Sequence, residues 1–170
     1  MNRKKLLVIS PIIAVLFVTM FVSVVSANPT YTFSVVRTGR IGGGNVYNQN
    51  GFLGTGPDGN WAQIYGGGAI GDGGIVVLGM SAPVTAGSAI TIYAKAASGY
   101  TNSKLYVYVS NGPNGPWYAA QPPNPQTIGY TSAFWYTFYG PAGVPFQYIS
   151  IAGYNPGGYE NVFIDSVLTM

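Results

Sequence analysis

Hydrophobic and polar residues alternate in short runs along most of this chain. Residues 30–38 (TYTFSVVRT) place Tyr31, Phe33 and Val35 on one face, residues 89–94 (AITIYA) bring Ile90 and Ile92 together, and residues 104–110 (KLYVYVS) set Leu105, Val107 and Val109 against Tyr106 and Tyr108. A two-residue period of this kind belongs to strands with one buried face. Further runs at 60–65, 74–80, 133–139, 145–152 and 161–169 bring the expected strands to eight. Glycine and proline fill the gaps, as in Gly42-Gly43-Gly44, Gly66-Gly67-Gly68, Asn111-Gly112-Pro113-Asn114-Gly115-Pro116 and Asn155-Pro156-Gly157-Gly158. Each supplies a turn through positive or fixed φ. Past residue 27, no window of a dozen residues carries helical periodicity free of glycine or proline. The pattern predicts an all-β chain: a two-sheet antiparallel β-sandwich of the jelly-roll kind, with a smaller up-and-down barrel as the alternative. No repeat and no linker divides it, so residues 28–170 are expected to form one domain.

Residues 1–27 follow another rule. Arg3, Lys4 and Lys5 precede an uncharged run over 6–25, and Val25-Ser26-Ala27 offers small residues to a signal peptidase. Pro11 leaves 12–25 as a fourteen-residue apolar stretch, which suits the helical core of a signal peptide better than a membrane anchor. Residues 28–170 are therefore expected outside the cytoplasm, secreted or at an extracellular surface. Membrane contact would come only through the N-terminal segment, if it stayed uncut.

Removing that leader removes three of the seven basic residues. Arg37, Arg40, Lys95 and Lys104 then face Asp58, Asp72, Glu160 and Asp165, four against four. No cationic stripe is left for nucleic acid. Only 6% of the chain is charged, against about a quarter in average soluble domains, so glycine, amide, hydroxyl and tyrosine side chains must cover the surface. Weak self-repulsion fits an immobilised or assembling molecule. There is no cysteine, so the domain is expected to stand on its core without disulfides.

One stretch invites a different chemistry. "GTGPDG", residues 54–59, has the spacing G-x-G-x-x-G, and Asp72 follows eighteen residues after its first glycine. A dinucleotide site needs a helix after the glycines, to aim its amides at the pyrophosphate. Residues 60–65 alternate like a strand instead, and three glycines follow at once. Pro57 suits the first corner of a tight turn with Gly59 at its end, and Gly71-Asp72-Gly73-Gly74 signals a hairpin turn. The motif is punctuation between strands.

With those turns recognised, "GPDGNWAQIYGGG" followed by "GDGGIVVLGMS" resembles the G-x-P-D-G-x-x-A-x-(L/I)-x-G-G-G … I-x-L pattern of secreted jelly-roll domains. These are galactose-binding-like and carbohydrate-binding modules found on archaeal and bacterial surface proteins. "LYVYVSNGPNGPW" is similar to their V-x-V-S-x-D-G-x-x-W hairpin, and "FQYISIAGYNPGGYENVFIDSV" to their last two strands and the loop between them. The resemblance runs in order over about residues 50–168. It implies a structural Ca²⁺ in many such domains, for which Asp58 and Asp165 are the candidate ligands. Two departures bear on this: Asn114 stands where the pattern often has Asp, and the closing strand keeps one acid, Asp165, where two are common. Calcium takes six to eight oxygens, and the alternative is that these acids are solvated turn residues.

The chemical inventory excludes more than it offers. With no histidine and no cysteine there is no His-based triad, no thiol nucleophile and no ordinary zinc site. Four acids leave few pairs for a glycosidase, so no enzyme is expected. Aromatic rings remain, with fourteen Tyr, eight Phe and three Trp. Rings in loops at one end of a sandwich can stack on sugar faces while amide side chains bind hydroxyls. Tyr100, Trp117, Tyr118, Tyr154 and Tyr159 are the loop candidates for a glycan site. The alternative packs Trp61 and Trp135 into the core and lets Trp117 cap the sandwich end. Two functions follow: a non-catalytic surface protein with a structural or adhesive role, its partner a second copy of itself or another envelope component; or a lectin-like module that recognises extracellular glycans. For the first, residues 30–38 form a strand that one copy could donate to the next.

Overall fold

A computed structural model describes residues 29–69, 71–97, 102–122, 124–154 and 161–170. They form eleven strands: β1 (Thr30–Ile41), β2 (Asn45–Tyr47), β3 (Ala62–Tyr65), β4 (Gly73–Val84), β5 (Ala89–Ala96), β6 (Lys104–Ser110), β7 (Tyr118–Ala119), β8 (Gln126–Thr127), β9 (Phe134–Tyr139), β10 (Phe146–Tyr154) and β11 (Asn161–Thr169). All their pairings are antiparallel. One sheet, called A, runs β2-β3-β11-β5-β9. The other, B, runs β1-β4-β10-β6, with β7 and β8 on its far edge. Strand β1 belongs to both, because Thr30 and Tyr31 pair with β11 before the chain crosses to β4. This is the expected two-sheet sandwich. The leader, residues 1–27, and the Asn155 turn lie outside the described residues; among those described, no helix is long and apolar enough to cross a membrane.

Alternation accounts for the core. Ile90, Ile92 and Ala94 of β5, Val162, Ile164 and Val167 of β11, and Phe138 of β9 are buried on the inner side of sheet A. They meet Val76, Leu78 and Met80 of β4, Ile149 and Ile151 of β10, and Leu105, Val107 and Val109 of β6. The opposite residues on β6, Tyr106 and Tyr108, are half-buried on the outside. Tyr31 and Phe33 of β1 share a face as expected, but it is the outer one: Thr32 between them is buried, while Phe33 is 57% exposed. Register shifts fall between Thr32 and Ser34 and between Val35 and Arg37, and each bulge resets which face the side chains after it take.

The turn at Asp72 also differs from the hairpin expected of it. Strands β3 and β4 lie in different sheets, so residues 66–72 carry the chain across the sandwich. The Asp72 carboxylate accepts the Ala69 amide at 3.1 Å. It lies so close to Gly42, Gly43 and Gly67 that a Cβ on any of them would collide with it.

Between the sheets, one contact depends on a pair of glycines. Gly74 and Gly153 are cross-strand partners on β4 and β10, and Ile64 of β3 packs onto both. A Cβ on Gly153 would stand 2.5 Å from Ile64 Cγ2, and one on Gly74 2.9 Å from the same atom. The two missing side chains are the space that the isoleucine fills. Gly153→Ala should therefore lower stability by about 1–3 kcal/mol through overpacking, measured by urea unfolding, and the loss should be smaller in an Ile64→Ala background, which lacks the opposing Cγ2.

Candidate functional site

Because Ile90, Ile92 and Ala94 of β5 point inward, Thr91, Tyr93 and Lys95 point outward from sheet A. Register sets Trp135 of β9 directly opposite Tyr93. Their ring centroids are 5.1 Å apart at 47°, close to the separation of neighbouring strands. On the other side, the β3–β11 ladder ends with Ala62 opposite Ile164, and one further step brings Trp61 level with Asp165. Asp165 and its neighbour Ser166 are buried and short, so nothing bulky on β11 separates Trp61 from Tyr93. Their centroids lie 5.7 Å apart at 32°. The result is a continuous row, Trp61–Tyr93–Trp135, lying across the strands.

Trp135 is 44% exposed, and Trp61 and Tyr93 are half-buried. Shallow depressions flank the row. One, of about 450 Å³, is lined by Trp61, Lys95, Ala96, Ala97, Tyr130 and Phe163; the other, of about 250 Å³, by Thr91, Trp135, Leu168 and Met170. Lys95 Nζ stands 4.4 Å from the Trp61 ring centroid, within cation–π range. The surface is flat, apolar and open, suited to a ligand that lies on it.

Trp61 owes its position to Asp165. A register shift on β11 between Ile164 and Ser166 turns Asp165 out of the ladder, yet its side chain is only 2% exposed. Burying a carboxylate without partners costs several kcal/mol, and the GPDGN loop supplies the partners. The Asp58 amide donates to Oδ1 at 3.2 Å and the Gly59 amide to Oδ2 at 3.0 Å. Gly59 has φ +86°, a conformation that favours glycine. The Asp58 carboxylate accepts the Asn60 amide at 2.8 Å. Asn48 then donates to the Asn60 side chain and to the Trp61 carbonyl, each at 2.8 Å.

Asp58 and Asp165, the pair named as calcium ligands, thus meet, but Asp58 presents its amide and not its carboxylate. Both Asp165 oxygens already accept hydrogen bonds. Among the described residues, no three His, Cys, Asp or Glu side chains gather into a group able to hold a metal ion. This donor set falls short of the six to eight oxygens calcium takes.

Of the loop candidates among the described residues, Trp117 and Tyr118 lie on sheet B, away from this face. Tyr118 is exposed on β7 opposite Val109, beside Asn111, Pro116 and Val144, and Trp117 precedes it, half-buried against Gly115. Tyr154 ends β10 opposite Lys104. Val109 and Lys104 are five residues apart on β6, and β7 and β10 flank it on opposite sides, so the backbone positions of Tyr118 and Tyr154 are separated by roughly 19 Å. Tyr100 and Tyr159 lie outside the described residues. What sequence reasoning missed is the row itself. Tyr93 falls in the phase opposite Ile90 and Ile92, a legible signal, whereas the partners that complete the row depend on strand order. Trp61 and Trp135, candidates for the core, face out of it.

No family model and no curated protein matches this chain. Solved structures share its fold. The K2 cleaved adhesin domain of Lys-gingipain has a TM-score of 0.56 at 13% identity, over 84% of this chain and 99% of that one. A family 29 carbohydrate-binding module has a TM-score of 0.49 at 18% identity, over 85% and 92% of the two chains. Another structure of that family, complexed with mannohexaose, has a TM-score of 0.49 at 17% identity, over 83% and 89%. At 13% identity the likeness to the adhesin domain is one of fold, and it agrees with the jelly-roll resemblance in the sequence.

If Asp165 is the anchor of the GPDGN loop, Asp165→Ala leaves two amides without their acceptor. The expected loss is about 2–4 kcal/mol in urea unfolding, with Asp165→Asn losing less and EDTA leaving the wild-type midpoint unmoved.

Proposed function

We propose that this chain is a non-catalytic extracellular domain that binds carbohydrate in an adhesive role, with Trp61, Tyr93 and Trp135 as the platform for the sugar. The observation that carries this reading is the unbroken aromatic row on the outward face of sheet A. Rings that pack only for stability belong inside, and contiguous apolar surface left outside marks an interaction site. A pyranose has the matching shape: a flat C–H face to lie on the rings and a rim of hydroxyls to bond around them. Register puts Thr137 on the same side as Thr91, and Gln63 beside Phe163, so hydroxyl and amide groups border the rings. The signal-like leader fits a ligand met outside the cell, and the lack of histidine and cysteine fits holding a ligand without transforming it.

Truncating a central aromatic of a binding surface typically costs about 2 kcal/mol or more, roughly thirtyfold in affinity. Trp135→Ala should therefore weaken binding to β-linked oligosaccharides by about that factor in calorimetric titration, with the far-ultraviolet circular dichroism unchanged. A glycan array left blank by the wild-type protein would remove the reading.

A structural, self-assembling role draws on a separate observation. Phe33, Val36 and Ile41 are 57%, 40% and 37% exposed along β1, the edge of sheet B. That edge is bulged twice and carries Arg37 and Arg40, features that blunt edge-to-edge pairing. The geometry therefore favours the glycan reading. Polymers in sedimentation that dissolve on Phe33→Ser with Val36→Ser would reverse that order.

A further inference from the structure

Lys95 is the one formal charge lining the depressions beside the aromatic row. The other described cations stand elsewhere: Arg37 and Arg40 on β1, with the Arg37 guanidinium donating to Asn114 at 3.3 Å, and Lys104 at the start of β6. The described acids are turned to backbone amides, Asp165 to those of Asp58 and Gly59, Asp58 to that of Asn60, and Asp72 to that of Ala69. None of them forms an ion pair with Lys95. The ammonium carries three N–H donors, and the Trp61 face engages only part of it while holding it at the surface. A cation held over a ring, open to solvent and without a carboxylate partner among the described residues, has capacity for an anion.

We propose that Lys95 makes this surface selective for a carboxylate-bearing polysaccharide, a β-linked polyuronate, over its neutral counterpart. The inference rests on the aromatic row being the sugar platform. Lys95 follows Tyr93 by two residues on the same face of β5, roughly 7 Å along the strand. A sugar ring resting on Tyr93 and Trp135 turns its rim toward that position, where a carboxylate at C6 reaches the ammonium. A neutral hydroxymethyl there makes an ordinary hydrogen bond; a carboxylate makes a charge-assisted one, about twice as strong. With so few charges on the chain, there is no general field to mask the effect of one lysine.

The test compares a β-1,4-linked mannuronate hexamer with mannohexaose, which share ring and linkage and differ at C6. Calorimetric titration at low salt should show the uronate bound about five- to tenfold more tightly. That preference should shrink as salt rises, disappear in Lys95→Gln and persist in Lys95→Arg, whose guanidinium also stacks on tryptophan. Equal affinities in the wild type, binding of neither oligosaccharide, or an unchanged preference in Lys95→Gln would overturn the proposal. Mannohexaose bound without the uronate would overturn it too, while leaving the platform standing. If instead Trp135→Ala left both affinities untouched, the platform itself would fall.

Discussion

A carboxylate buried on β11 fixes the outward surface of this protein. A carboxyl group buried there needs hydrogen-bond donors, and Asp165 finds them in the amides of a loop more than a hundred residues earlier in the chain. Satisfying it draws the GPDGN loop over β11 and ends that loop at Trp61. From there the ring has one open direction, across the short side chains of Asp165 and Ser166, to Tyr93. The tryptophan is held by the backbone behind it, with the Lys95 ammonium over its ring.

The same economy of side chains operates between the sheets. Ile64 reaches the Gly74–Gly153 pair because neither residue has a Cβ, so β3 lies close to sheet B although it is hydrogen-bonded in sheet A. Sheet B closes its far edge with local groups. Strands β7 and β8 pair with the two ends of β6, and between them the Asn124 amide imitates a strand, accepting from the Val107 N–H at 3.1 Å and donating to its carbonyl at 2.8 Å. The opposite edge is protected by bulges and arginines. A chain with four acids against four bases past residue 27 needs such devices more than most.

Much of the architecture was legible because strand alternation is a local property. Ile90 and Ile92, and Leu105, Val107 and Val109, are buried as their spacing implies, and the eight longer strands fall close to their expected bounds. The bulges of β1 were not legible, since nothing in TYTFSVVRT says that the strand changes sheets after Tyr31. Strands β2, β7 and β8 span only two or three residues each, too short for any period. The aromatic row escaped notice for a different reason. Tyr93 and Trp135 lie far apart in the chain and meet only through the β5–β9 register, while Trp61 joins them through a carboxylate whose role depends on a bulge. Composition drew attention to loops, where aromatics are conspicuous, and away from strands, where half of them belong to the outer face.

Strand β1 ties the two sheets together, and that has a mechanical meaning. It leaves sheet A after two residues and pairs with β4 from Thr32 to Ile41, while the Thr30 hydroxyl accepts a hydrogen bond from that of Thr169 at 2.8 Å. A pull on the leading end of this strand, directed along its axis, loads the whole β4 ladder in shear, so its hydrogen bonds must yield together and not one after another. Tension between a tether before residue 30 and a ligand held on sheet A would thus meet the molecule along the β1–β4 pairing.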